Sequence, residues 1–309
     1  MRSFIFFFVL RCGIIFFVVP EPVEGPNIPI LELKMTVDRK KYKSFALMQL
    51  KGRWRPAVIA TLISVLILTL FSVTQNQTTD LSFSEMMRLS EEQLFNYIQS
   101  NPQFSAPGII LSLIETIMDF IIDIVLVSFF LIYSRSPEPV TLKNYFEGYN
   151  KWGRGVLCGL WKLLWLFLWA LIVIPVMVGF VLIIALLSNS YEFSAEFQLV
   201  LLTIVMLIGL IPMFIKSIEY SFATYFTAEF SELGIRKALR HSITLAKGHR
   251  WELFLLDLSF IGWFLASMLT AGIGFMWFLP YYYMTKTNTY HALLQDALEN
   301  SKILPEDLN

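Results

Sequence analysis

The chain has 309 residues, of which 56% are hydrophobic and 16% are charged, and its mean hydropathy is +0.62. Soluble domains average about 25% charged residues, so this composition excludes an ordinary soluble domain and indicates a membrane protein. The formal net charge is zero, which gives no overall basic character and argues against a nucleic-acid partner.

Residues 1–34 form a doubtful N-terminal extension. Phe4–Val19 is apolar but is interrupted by Arg11, and the Pro20–Pro26 stretch breaks any regular structure. The extension reads as a signal peptide, as a seventh span with an external N terminus, or as the product of a start codon assigned too early. We favour the last interpretation, because Met35 is followed directly by a basic segment typical of a cytoplasmic beginning.

Six apolar runs have about the length of a spanning helix, which needs about 20 residues to cross roughly 30 Å of hydrocarbon. They are Ala57–Val73, Pro107–Tyr133, Val156–Leu187, Gln198–Phe222, Glu252–Thr270 and Ile273–Thr289. We therefore predict an all-α polytopic membrane helical bundle of about six transmembrane helices at 35–297, with a cytoplasmic tail at 298–309. For the last two runs, a tight hairpin at Ala271 and Gly272 is favoured over one bent helix, because their joint length exceeds one span.

Lysine and arginine residues are concentrated in alternate loops. Met35–Arg55, Ser134–Arg154 and Thr227–Trp251 together carry sixteen of them, whereas Thr74–Ala106 and Ser188–Glu196 together carry one. Because such residues favour the cytoplasmic side, we predict a plasma-membrane protein with both termini in the cytoplasm.

An amphipathic helix is predicted at Leu233–Lys247, ending at Gly248. Its apolar face contains Ile235, Leu239, Ile243 and Ala246, and its polar face contains His241 and the candidate headgroup contacts Arg236, Lys237, Arg240 and Lys247. Two interpretations stay open. The helix either lies on anionic headgroups of the inner leaflet or serves as a basic linker between spans.

Charged residues inside the apolar runs are the candidates for function, because an ion in a bilayer is costly unless it is paired or used. At about 1.5 Å rise per residue, five of them fall in the cytoplasmic third of the bilayer, and we predict that they form a salt-bridged layer. They are Asp123, Lys162, Lys216, Glu219 and Asp257.

Two further carboxylates lie nearer the middle of the second run. Glu115 and Asp119 precede Asp123 at four-residue spacing, so all three share one helix face. No base lies at the depth of Glu115 and Asp119, which makes them candidates for proton or ion coupling. The competing interpretation is that they face a wet crevice or bond hydroxyl groups and serve only assembly.

The cysteine and histidine residues are not spaced as in metal sites, and the common motifs of enzyme active sites are missing from the sequence. Cys12 and Cys158 do not form a CxxC pair, the three histidines lie outside the apolar runs, and we expect no metal and no cofactor. HExxH, GxSxG, Walker and GxGxxG motifs are absent from the sequence. We expect a non-enzymatic role in membrane organisation, lipid contact or partner binding. The alternative is a small secondary transporter or channel using Glu115 and Asp119.

The C-terminal third also carries a family resemblance. Lys247–Trp263 reads KGHRWELFLLDLSFIGW and Leu269–Tyr283 reads LTAGIGFMWFLPYYY. With Ile211–Tyr225 and Met35–Leu68, these segments resemble multi-pass bacterial membrane proteins catalogued as domain of unknown function 975, over about residues 35–297. The chain departs from that pattern in its long Trp-rich third run and an extra loop at Ser188–Glu196. The resemblance implies membrane placement and a start at Met35, and no activity.

Overall fold

A computed structural model describes residues 39–73, 90–100, 105–136, 140–191 and 194–308 of the chain. Within these ranges the regular secondary structure is helical, with no strand. In chain order the α-helices are α1 Arg39–Leu50, α2 Trp54–Val73, α3 Glu91–Ser100, α4 Ala106–Arg135, α5 Leu142–Glu147, α6 Trp152–Tyr191, α7 Ala195–Tyr220, α8 Ala223–Glu229, α9 Ile235–Ala246, α10 Arg250–Leu258, α11 Ile261–Leu269 and α12 Phe275–Glu299. Short 3-10 helices occupy Gly148–Lys151 and Pro305–Leu308. The doubtful extension at 1–34 lies outside the described residues.

The predicted all-helical fold is confirmed for the described part of the chain, but six spans are not. Three stretches are long and apolar enough to cross a membrane, namely Leu142–Ile184, Val200–Glu229 and Arg250–Leu269. A fourth is added if Arg39–Leu50 and Trp54–Leu70, which meet at an angle of 102°, count as one span. The second and sixth predicted runs correspond to α4 and α12, and other helices cover much of both.

One end of the helix bundle is densely packed, mainly with aromatic side chains. Phe129, Tyr145, Phe226 and Tyr290 are completely buried there. The rings of Phe129 and Tyr145 meet edge-on with centroids 6.1 Å apart, and those of Phe226 and Tyr290 do so at 5.4 Å. We call the end containing these four residues the packed end, because the second half of α4, the end of α7 and most of α12 converge there.

The opposite end, which we call the far end, is loosely covered. The most apolar 18 residues of Leu142–Ile184 are only 6% buried inside the protein, and the same is true of the most apolar 18 residues of Val200–Glu229. α6 and α7 pack chiefly on each other, for example where Met177 fills the space that a side chain at Gly209 would need. Long exposed apolar helices are typical of lipid-facing surfaces.

Small residues let α6 approach α4 closely at the packed end. A Cβ atom at Gly155 would lie 2.3 Å from Ile124 Cγ2, and one at Gly159 would lie 2.2 Å from Phe120 Cγ. This four-residue spacing of glycines is a common device for close helix packing in membranes. It fixes the position of the charged residues that follow on both helices.

The last predicted pair of runs forms a hairpin. Ala271 and Gly272 have φ of 52° and 88°, and the Gly272 N–H donates to the Ser267 carbonyl at 3.1 Å. Beyond the turn α12 folds back on α11, and the rings of Phe264 and Phe275 meet with centroids 5.6 Å apart. The fifth run is itself interrupted at 259–260, between α10 and α11.

The C-terminal residues also fold onto the packed end. Ile303 and Leu308 are 2% and 8% exposed and belong to the main hydrophobic core. Lys302 bonds back to Asp296 of α12 at 2.7 Å. The segment predicted as a cytoplasmic tail is therefore partly a packed element.

Candidate functional site

The charged residues predicted to form one layer are divided among three separate ion pairs at the packed end. The first joins α4 to α6, where Lys162 Nζ lies 3.5 Å from Asp123 Oδ2. Thr224 of α8 links the two, since its hydroxyl donates to Asp123 at 2.9 Å and accepts from Lys162 at 2.8 Å. The structure thus brings together two of the predicted residues and adds the hydroxyl of Thr224, which was not among them.

The second ion pair has three members and is centred on Glu219, whose side chain is completely buried. Lys216, one turn earlier on α7, donates to Glu219 at 2.8 Å. Arg250, the first residue of α10, pairs with the other carboxylate oxygen. Two cations around one buried carboxylate join α7 to α10 and leave an excess of positive charge. Burial without such partners would carry a large desolvation cost.

The third pair joins α10 to α12. Lys286 Nζ lies 2.8 Å from Asp257 Oδ1 and 3.0 Å from its Oδ2, and the Tyr282 hydroxyl donates to the same carboxylate at 3.3 Å. The Lys286 side chain is only 7% exposed. This pair is the best enclosed of the two-membered ones.

Arg250 and Lys286 are not among the residues predicted from depth, because the prediction compared only the second to fifth runs and only residues inside them. Lys286 lies in the predicted sixth run, and Arg250 lies two residues before the fifth. A search for every base within one helical turn of a span end would have found them.

The other two predicted carboxylates lie elsewhere. Glu115 is half-buried and Asp119 is exposed, both in the half of α4 nearer the far end. Neither has a hydrogen-bond or ion-pair partner among the described residues. They share the helix face of Asp123, one and two turns beyond the pair with Lys162.

The amphipathic helix is present as α9, but its apolar face is not free. Leu239 is buried in a small cluster with Cys158, Tyr220 and Ala223, and Ile235 and Ile243 pack against that cluster. The four basic residues are exposed, namely Arg236, Lys237, Arg240 and Lys247. Arg236 is held with its guanidinium 4.9 Å above the ring of Trp161 in α6. α9 is therefore fixed on the spans by its apolar side and presents its basic side outward.

A fourth polar cluster ties α4 to α12 below the aromatic core. Arg135 pairs with Glu229, and the His291 ring accepts from Arg135 at 3.3 Å and contacts the Ser134 hydroxyl at 2.9 Å. Burial, and secondarily the Arg135 charge, lowers the pKa of His291 to about 3. The ring is neutral at physiological pH and acts as a hydrogen-bonding spacer.

No group of three or more His, Cys, Asp or Glu side chains that could hold a metal ion occurs in the described ranges. The charged side chains of the ion pairs described above are engaged with one another. Their arrangement suits holding helices together, and the exposed charges include the basic residues of α9 and Asp119 of α4.

The comparisons with known proteins give one positive result. No curated protein and no solved structure matches the chain. A profile of the family described as "Protein of unknown function (DUF975)" matches residues 35–297, a range that runs from before α1 to the last turn of α12. The chain therefore belongs to the family of proteins of unknown function DUF975.

Proposed function

We propose that the protein is a multi-pass protein of the cell membrane that binds anionic lipid headgroups at the inner leaflet through α9 and has no enzymatic activity. The observation that carries this proposal is the docking of α9. Its apolar side is occupied by the spans and its four basic residues are exposed. A fixed row of cations beside apolar spans suits the negative surface of the cytoplasmic leaflet, at about 1 kcal/mol for each basic residue close to it.

The arrangement of helix ends supports six passes with both termini inside. α2, α6 and α10 begin near the packed end, and α4, α7 and α12 return to it. The basic segments 39–55, 140–154 and 235–250, together with Arg135, all adjoin that end. Because Lys and Arg favour the cytoplasmic side, the packed end is the inner one under this proposal. The core then lies at and below the inner leaflet.

The test compares lipid retention by the full chain and by R236Q/K237Q/R240Q. Protein in neutral detergent is mixed with equal amounts of phosphatidylglycerol and phosphatidylcholine, and native mass spectrometry counts the lipids retained. The wild type should retain more phosphatidylglycerol than phosphatidylcholine, and this ratio should be about tenfold smaller in the variant. Each basic contact contributes about 1 kcal/mol at a bilayer surface, and we expect the three contacts together to contribute less than that sum in detergent.

A matched control removes the same charge from another surface. Lys51, Arg55 and Lys143 are also exposed, and K51Q/R55Q/K143Q should keep the preference. An equal loss in both variants would mean that net charge, and not α9, attracts the lipid. No preference in the wild type would refute the proposal.

A second candidate function is ion- or proton-coupled transport through Glu115 and Asp119. Its support is that the two carboxylates have no partner among the described residues and adjoin the Asp123 and Lys162 pair. In reconstituted vesicles under a pH gradient, E115Q/D119N should abolish a proton flux that the wild type carries, while E92Q, on the separate helix α3, should keep it. Absence of flux in the wild type contradicts this candidate.

A further inference from the structure

A surface groove of about 440 Å³ lies between α6 and the start of α9. Its walls include Leu157 and Trp161 of α6, Glu232 of the preceding loop, and Arg236 and Lys237 of α9. The groove thus combines apolar, cationic and anionic side chains within one small space. None of these residues has a role in the ion pairs of the packed end.

The charges in the groove are available to a ligand. Glu232 and Lys237 are exposed, and neither has a hydrogen-bond or ion-pair partner in the ranges that the structure describes. Arg236 is positioned by the Trp161 ring, and its fork of N–H donors suits a phosphate group. The groove therefore offers donors for one anion and an acceptor for one cation.

The apolar wall continues along α6 toward the far end. Leu157 is 58% exposed, and Leu160 and Leu164 follow it at 49% and 43%. This strip belongs to the stretch that is apolar enough to cross a membrane. A ligand with its polar part in the groove would place a long apolar part on this strip.

We infer that the groove binds one phospholipid with a phosphoethanolamine headgroup. Arg236 and Lys237 receive the phosphate, Glu232 accepts hydrogen bonds from the primary ammonium, and an acyl chain lies along Leu157 and Leu160. Phosphatidylglycerol has no cation for Glu232, and the quaternary ammonium of phosphatidylcholine has no N–H to donate. The inference rests on the membrane placement proposed above, but it names a zwitterionic ligand at a defined site and not the anionic lipids drawn to α9 as a whole.

The experiment offers the full chain in neutral detergent equal amounts of phosphatidylethanolamine and phosphatidylcholine and counts the retained lipids by native mass spectrometry. The wild type should prefer phosphatidylethanolamine about tenfold, since a hydrogen bond to a charged group is involved. E232Q should reduce this preference to parity. E147Q, an equivalent change at an exposed glutamate outside the groove, should leave it unchanged.

Equal retention of the two lipids by the wild type would overturn the inference, as would a preference that survives in E232Q. The outcome is separable from that of the proposed function, because E232Q removes no basic residue. If phosphatidylglycerol retention still depends on R236Q/K237Q/R240Q while the ethanolamine preference is missing, only the groove inference fails. If the ethanolamine preference holds but that dependence is missing, only the anionic-lipid function fails.

Discussion

Replacement of Lys286 by methionine tests whether the ion pairs hold the packed end together. The substitution keeps most of the side-chain volume and removes the ammonium that contacts both oxygens of Asp257, at 2.8 and 3.0 Å. The carboxylate then keeps one neutral donor, the Tyr282 hydroxyl at 3.3 Å. We expect K286M to be folded but clearly less stable than the wild type.

The size of the loss follows from how well the pair is enclosed. Removal of one partner from a buried ion pair costs about 3–5 kcal/mol, because the remaining charge is left without compensation. Asp257 is 29% exposed, so water relieves part of that penalty, and we place the loss near 3 kcal/mol, the lower limit of that range. At about 2.1 cal/mol/K of unfolding entropy per residue, a loss of about 3 kcal/mol in a chain of this size corresponds to a decrease of roughly 5 °C in the unfolding temperature.

Thermal unfolding of the full chain in detergent measures the effect, with the double variant D257N/K286M as the decisive comparison. Removing both charges should recover most of the loss, since the cost comes from the unpaired carboxylate. K302M is the control, because Lys302 is 41% exposed and surface pairs contribute about 1 kcal/mol or less. A double variant as unstable as K286M would refute the reasoning and would show that the lysine acts by packing alone.

Two further predictions concern packing and pH. G159A should lower the free energy of unfolding by about 1–3 kcal/mol, because the added Cβ would lie 2.2 Å from Phe120 Cγ. G153A is the control: a Cβ there meets no atom within 4 Å, so this variant should be neutral or stabilising in thermal unfolding. Equal effects of the two substitutions would contradict the close approach of α4 and α6. Since burial lowers the pKa of His291 to about 3, the unfolded chain, with an ordinary histidine pKa near 6.5, binds a proton more readily as the pH falls. Acidification from pH 7 to 5 should therefore lower the free energy of unfolding by about 2 kcal/mol. H291Q still offers Ser134 a hydrogen-bond partner and should remove this part of the pH dependence. If the pH dependence of unfolding is the same in H291Q and the wild type, the buried ring is not the cause.

Hydropathy and periodicity predicted the long helices, but not short ones such as α1 and α3 or the break between α10 and α11. Pro107–Tyr133 became α4 at Ala106–Arg135, and Leu233–Lys247 became α9 at Ile235–Ala246, because apolar periodicity and length determine where a helix begins and ends. Depth along each span also placed Asp123 at the level of Lys162, and the structure has them 3.5 Å apart. These are one-dimensional properties, so a sequence contains them directly.

Partner choice within the packed end required information that depth does not contain. Lys216 and Glu219 pair within α7, while Asp257 pairs with Lys286 across α10 and α12. Which base meets which acid depends on helix rotation and on close approaches such as the one at Gly159. The contacts of the apolar side of α9 also could not be predicted from the sequence, since the residues that cover Leu239, namely Cys158, Tyr220 and Ala223, come from distant parts of the chain.

The uneven packing along the α6 and α7 pair has a consequence for how the protein, in the membrane placement proposed above, would respond to bilayer thickness. α6 has 40 residues, or about 60 Å of helix, against roughly 30 Å of hydrocarbon. Beyond Lys162 the pair is held mainly by its own contacts, so its tilt is free to follow the bilayer at a small energetic cost per ångström of mismatch. Under the proposed membrane placement, we expect a thinner or thicker bilayer to change the angle of these two helices and to leave the ion pairs and aromatic core of the packed end unchanged.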